Sequence, residues 1–293
     1  GPAWGQVDTF AISSTTSYVP EAPPSLTSAE YAASYNEVIE LGSYDSTVRT
    51  ADQTEAGIFW AYDRVGLGTP LALYNDVLTT IAVQEGNTTE ENAALFAKAS
   101  VSMADAAIVA WNTKFDYEFW RPVSAIQDGD IDGNPLTEGD IDWTALGAPD
   151  GGDDEIGFTP QFPTYISGHA TFGGALFTTL QEFYGTDDIA FELTSDELLL
   201  LLEDPELQAL YGLNLEDATR VYESLSEAMI ENGRSRVYLG IHFDFDDLVG
   251  QEVGQAIALS VAYEPFVAEV APEPASLALL TTGLLVLSRR QRA

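Results

Sequence analysis

Only two histidines occur in this 293-residue chain, and each sits among residues suited to anions. His169 closes Ser167-Gly168-His169. His242 lies six positions after Arg236 in Ser235-Arg236-Val237-Tyr238-Leu239-Gly240-Ile241-His242, and Asp246 follows four further on. Upstream, Lys114 and Arg121-Pro122 form a third piece, with six residues between the two cations. A single buried histidine is ordinarily a hydrogen-bonded core residue. The cation distribution argues for more. Of 11 Lys and Arg, three lie in the last five residues, and of the other eight, Lys114, Arg121, Arg234 and Arg236 fall in these segments. A chain with 47 acidic residues that groups its few cations near both histidines is building an oxyanion site.

A tetrahedral oxyanion needs donors on several sides. Lys114, Arg121 and Arg236 supply charge, the two arginines through a rigid fork of N–H groups. Ser167 and the Gly168 amide fall where a helix begins, and the free N–H groups of a helix start favour anions. Gly168, lacking Cβ, lets the backbone come close. Asp246, one helical turn after His242, is spaced to hold one of its ring nitrogens; Asp244 and Asp247 compete on spacing alone.

The three pieces closely resemble the shared framework of the vanadium-dependent haloperoxidases and the type 2 phosphatidic acid phosphatases. The match spans roughly residues 88 to 262, and three motifs in order carry far more weight than one. Ile166 stands where the family usually has proline, which removes no anion ligand. The resemblance implies vanadate, or phosphate, held by Lys114, Arg121, Ser167, Gly168, Arg236 and His242. It also implies that a His242 ring nitrogen binds vanadium in a haloperoxidase or attacks phosphorus in a phosphatase. His169 is then the general acid–base, titrating near neutrality.

Trp111, three before Lys114, and Phe162, five before Ser167, match aromatic positions lining the halide pocket in chloroperoxidase-type members; the alternative for each is an ordinary core aromatic. Together with Trp120-Arg121-Pro122-Val123 and Phe162-Pro163-Thr164-Tyr165, they favour a haloperoxidase using hydrogen peroxide, halide and a small organic acceptor. A phosphomonoesterase working through phosphohistidine is the second reading, and a non-catalytic surface-binding protein the third. Homo-oligomerisation stays open.

Charge and composition narrow the partners. A net charge of −36 argues against nucleic acid and anionic membrane, since phosphate backbones need basic surface. It suits a saline or calcium-rich surrounding. With no cysteine, disulfides, thiolate ligands and a cysteine nucleophile are excluded. Asp128-Gly129-Asp130-Ile131-Asp132-Gly133 matches the start of an EF-hand loop, but position twelve is Gly139 rather than glutamate. A solvated acidic turn is the favoured reading there, with calcium on Asp128, Asp130 and Asp132 as the alternative.

The ends carry their own signals. Gly1-Pro2 looks like the scar of a removed tag, so any signal peptide would already be missing. Pro272-Glu273-Pro274, an apolar stretch from Ala275 to Leu287 and Arg289-Arg290-Gln291-Arg292 resemble a PEP-CTERM sorting signal. The stretch is short of the ~20 residues that span a bilayer comfortably. The resemblance implies export to the bacterial periplasm, cell surface or extracellular matrix, with transient membrane tethering through the tail; the alternative is a short helix packed on the domain.

The elements that must position these residues read as an all-α bundle. Residues 1–27, with Pro20, Pro23 and Pro24, form an extended arm. Residues 28–266 form the helical domain, and 267–293 the sorting tail. Helices are expected at about 28–43, 51–66, 70–85, 88–117, from Ser167, 215–232 and 246–264. The 88–117 helix opens on a Thr88–Glu91 capping box and carries an apolar stripe at Phe96, Ala99, Met103, Ala106 and Ala110. Lys114 falls on its last turn. Residues 127–161, rich in Gly, Asp and Pro, form one long loop.

Overall fold

Helix starts are set by side chains that satisfy orphan N–H groups. Thr88 and Glu91 cap each other reciprocally, and α4, Thr89–Tyr117, follows as expected. The computed structural model describes residues 1–149 and 156–263. Before α4 come α1 (Ala29–Leu41), α2 (Ala51–Phe59) and α3 (Pro70–Gln84). After it come α5 (Pro122–Gln127), α6 (Gly168–Tyr184), β1 (Phe191–Thr194), α7 (Asp196–Glu203), α8 (Pro205–Leu210), β2 (Thr219–Tyr222), α9 (Leu225–Tyr238) and α10 (Asp244–Tyr263). The all-α bundle is borne out, with one small two-stranded sheet as its only sheet among the described residues.

Two expected elements differ. The helix expected at 51–66 ends at Phe59, because Tyr62 takes a left-handed φ of 51° that no helix continues. The helix expected at 215–232 is instead β2 followed by α9. Asp217 accepts the N–H of Thr219 in a turn, and Thr219–Tyr222 pairs antiparallel with β1. Ser224 then caps α9 by accepting from Glu227 N. The β-branched and aromatic side chains of Thr219, Val221 and Tyr222 suit a pleated surface, and pairing with β1 overrides any helical period. Two short helices, α7 and α8, had no expectation at all.

The core centres on α6, flanked by α4, α9 and α10. Helices α6 and α10 cross closely through glycines: a Cβ on Gly254 would lie 2.2 Å from the carbonyl oxygen of Thr171, and one on Gly174 2.5 Å from that of Gln251. This crossing lets Ser167 N donate to Asp246 O at 2.9 Å, tying two of the three motifs together at their helix starts.

The arm is docked rather than free. It contains two short 3-10 turns, Pro2–Gln6 and Thr15–Ser17, and lies along α4. The buried Asp105 carboxylate accepts three of its backbone N–H groups, from Phe10, Ala11 and Ile12, at 2.6, 2.9 and 3.0 Å. The acidic segment after α5 folds on itself. Asp132 is buried and accepts from Asn134 N and Thr137 Oγ1, both at 2.7 Å, while Asp128 and Asp130 are exposed. Among the described residues no group of three or more acidic or histidine side chains is placed to hold a metal ion, and Asp128, Asp130 and Asp132 form no such group. Both carboxylate oxygens of Asp132 already serve the turn.

Candidate active site

Five separate stretches of chain meet in one cavity of about 310 Å³. Lys114 arrives on the last turn of α4 and Arg121 as the residue before α5. Ser167 caps α6 through Ala170 N, placing Gly168 and His169 in its first turn. Arg236 comes from the last turn of α9, and His242 from the corner between α9 and α10. Arg121, Gly168, His169, Arg236 and His242 line the cavity, as do Trp111 and Phe162. Lys114 and Ser167 stand behind this lining with no exposed surface.

His242 is held from both sides. Nδ1 lies 2.9 Å from Asp246 Oδ2 and 3.0 Å from Thr164 Oγ1, and Thr164 in turn donates to Asp246. A buried carboxylate offers only acceptors, so Nδ1 carries the proton and donates to it. Nε2 therefore presents its lone pair, which accepts from Arg121 Nη1 at 3.0 Å. Burial, then the charges of Arg121, Lys114 and Arg236, push the imidazole well below its ordinary pKa. It is neutral at neutral pH. Of the three aspartates that competed on spacing, Asp246 makes the contact; Asp244 pairs with Arg234 at 2.6 Å and Asp247 accepts from Gln251 at 2.6 Å.

The cations are crowded and under-used. Arg121 donates through Nε to Phe162 O and through Nη1 to Ile241 O, both at 2.8 Å, but Nη2 is buried with no partner among the described residues. Arg236 pairs with Asp63 through Nη2 at 3.0 Å, leaving Nε and Nη1 buried and unpartnered in the same sense. Lys114 donates to the carbonyls of Pro163 and Thr164 at 3.0 and 2.8 Å. Burial and Arg121 pull Lys114 well below its ordinary pKa against the opposing pull of Asp246. Burial, opposed by Asp246 and reinforced by Arg236, brings Arg121 down to about 9. Buried donors without acceptors are costly unless something fills them. Three mutually repelling cations, three orphan N–H-bearing atoms and a helix start fit a multiply charged oxyanion, so vanadate or phosphate suits the residues present.

His169 departs from expectation in one respect. Its Nε2 lies 3.1 and 3.2 Å from the carbonyls of Trp60 and Ala61, so Nε2 is the protonated nitrogen and Nδ1 the basic one. Burial and Arg236 hold its pKa well below the imidazole range, rather than near neutrality. The early end of α2 is what frees those two carbonyls.

The aromatic wall is in place beside the cations. Trp111 and Phe162 lie with ring centroids 5.4 Å apart, and Phe162 sits 4.9 Å from the Arg121 guanidinium carbon and 5.3 Å from Lys114 Nζ. Arg234, named with the cation cluster, points elsewhere and pairs with Glu37 and Asp244. Sequence reasoning missed Asp63, which no spacing links to Arg236. It also passed over Thr164, although Thr164 lay within the quoted run between Phe162 and Ser167. Tyr74 and Asn232, which bond each other at 2.9 Å, went unmarked too; Asn232 Nδ2 fixes the helix start by donating to His169 O at 3.0 Å.

Comparison with known proteins finds relatives of the same helical fold. Residues 94–266 match the model of the VCPO second helical-bundle domain, and residues 270–293 match the PEP-CTERM protein-sorting motif, which lies outside the described residues. A vanadium chloroperoxidase of Curvularia inaequalis is 33% identical over 288 residues, covering 86% of this chain and 47% of that protein. Among solved structures, the first bacterial vanadium-dependent iodoperoxidase superposes with a TM-score of 0.64 at 25% identity, over 89% of this chain and 55% of that one. An apo bacterial vanadium-dependent chloroperoxidase does so at 0.63 and 14% identity, over 89% and 55%, a likeness of fold. The chain thus spans about half the length of the relatives it matches. On the match over residues 94–266, the chain belongs to the vanadium haloperoxidase family and carries that family's second helical-bundle domain.

Proposed function

We propose that this protein is a vanadate-dependent haloperoxidase that uses hydrogen peroxide to oxidise halide, and that residues 28–266 are its catalytic domain. One observation carries the reading: His242, its Nε2 accepting from Arg121 Nη1, lines one cavity with two arginines that keep buried, unpartnered N–H groups among the described residues, next to a wall of Trp111 and Phe162. Lys114, Arg121 and Arg236 would neutralise the oxyanion, the Gly168 amide and Ser167 hydroxyl would donate to it, and His242 Nε2 would hold vanadium. Vanadate held there supplies a Lewis acid that polarises peroxide without changing oxidation state. Asp246 and Thr164 keep the His242 proton at Nδ1. His169 Nδ1 moves protons to and from the reacting oxygens. Trp111 and Phe162 desolvate a halide without offering a competing acceptor. The relatives' names support the same reading.

The test is vanadate-dependent bromination of a dye by the full chain. His242→Ala is expected to lose vanadium retention and activity together. His169→Ala is expected to keep vanadium and lose turnover. Full activity in His242→Ala, or activity indifferent to vanadate removal, would refute the reading. The neutral His242 with its Nδ1 proton fixed by Asp246 also favours a second reading, phosphomonoester hydrolysis through phosphohistidine at Nε2. That reading expects vanadate to inhibit and substrate to label His242. The sorting motif supports export, with the tail 267–293 serving delivery rather than catalysis.

A further inference from the structure

A second cavity, of about 420 Å³, opens beside the first between α3, α4 and the N-terminal turn. The two share three walls: Leu71, Trp111 and Phe172 line both. Trp4, Met103 and Ala107 extend the second cavity away from the cations. No charged side chain lines it, in a chain of net charge −36, and Asn75 and Ser100 supply its polar side chains. A surface this acidic that keeps one cleft free of charge favours a neutral occupant there. Its size falls in the usual range of about 300–1,000 Å³ for small-molecule clefts. Two indole rings, a phenyl ring and a thioether suit the face and edge of a flat aromatic ligand.

The N-terminal arm builds part of this cleft. Gly5 presses on the backbone of α4, where a Cβ would lie 2.4 Å from Asn112 N, so Trp4 is delivered one residue from the turn that carries Trp111. Trp4 and Leu71 remain 45% and 43% exposed at this face. Exposed apolar residues that continue a reaction cavity are better explained by a ligand than by chance.

We propose that this cleft is the binding site for the organic acceptor, and that the acceptor is a neutral, electron-rich arene of one or two rings. The proposal rests on the haloperoxidase reading for its chemistry. Hydrogen peroxide, halide and one proton give hypohalous acid and water, the halide losing two electrons to peroxide. The arene then attacks the halogen: a carbon–halogen bond forms, the oxygen–halogen bond breaks, and the ring proton leaves with the hydroxide as water. An arene held against Trp111 and Phe172 meets the oxidant as it leaves the cations, before it diffuses away.

The test uses 2-naphthol and the full chain, with and without vanadate. Binding is measured by calorimetry on the parent and on Ala104→Phe, which fills the cleft from α4. Ser100→Trp, at an exposed position on the same wall, serves as the second variant and needs no core rearrangement. Saturable binding by the parent, weakened at least tenfold in both variants, is the expected result. In turnover, both variants are expected to release hypohalite without arene at the parental rate, while KM for naphthol halogenation rises at least tenfold. Absence of saturable binding in the parent, or equal affinity in all three proteins, overturns the proposal. If the parent oxidises no halide yet binds naphthol as expected, the haloperoxidase reading fails while the arene site stands.

Discussion

Each histidine in the site has its tautomer set by a different kind of neighbour. His242 gives its Nδ1 proton to Asp246, and His169 gives its Nε2 proton to main-chain carbonyls. Partners that orient a metal-binding imidazole typically matter by about 10–100-fold in affinity when removed. Asp246→Ala is therefore expected to weaken vanadate binding by that order, read by vanadium NMR titration; unchanged affinity would mean Thr164 alone suffices. The second prediction concerns charge. Burial and Arg236 depress the His169 pKa, so the anion-free imidazole stays neutral until well below its ordinary titration range. A bound oxyanion offsets Arg236 and favours the imidazolium, so the midpoint must rise. With only two imidazoles in the chain, nitrogen NMR with and without inorganic phosphate resolves it. A midpoint that stays put at phosphate saturation would show that the anion binds elsewhere.

At the scale of elements, the arm and α4 depend on one carboxylate. Asp105 accepts three arm N–H groups, and bonds to charged acceptors contribute about 1.5–3 kcal/mol each at most, less where water can replace them. Phe10 is exposed and Ile12 buried, so part of the loss is recoverable. Asp105→Ala is expected to cost about 2–4 kcal/mol in chemical denaturation, and to open residues 7–13 to protease while helical circular dichroism is retained. Resistance to protease in that variant would mean apolar packing of Ile12 holds the arm by itself. How much of the elements was legible varied with their causes. The starts of α4 and α6 were written locally, in Thr88, Glu91 and Ser167. The end of α2 and the pairing of β2 were not, because a left-handed Tyr62 and a partner strand 28 positions upstream leave no mark in helical periodicity.

Across the whole molecule, charge dominates. With −36 on 293 residues, self-repulsion opposes the compact state, and mobile ions screen it over about 10 Å at 0.1 M salt. The melting temperature is expected to climb by at least about 4 °C between low salt and 1 M NaCl, since 1 kcal/mol corresponds to about 2–4 °C at this size. A flat or falling curve would mean the acidic groups are already compensated by pairs such as Arg220 with Asp52, Glu55 and Glu231.

The cation cluster was legible because oxyanion binding would demand cations, and a chain with 11 of them that sets four near both histidines stands out. Family and helical class followed from three motifs, each short in the chain, and those motifs also named Lys114, Arg121, Ser167, Gly168, His169, Arg236 and His242, which the structure gathers at or behind one cavity. Tertiary structure decided what depends on distance through space. It chose Asp246 over Asp244 and Asp247, brought Asp63 to Arg236, set Thr164 between His242 and Asp246, and turned His169 onto the end of α2. It also closed Asp132 into its own turn. Spacing along a chain records which residues share an element; which lone pair faces which donor is settled only when the elements pack.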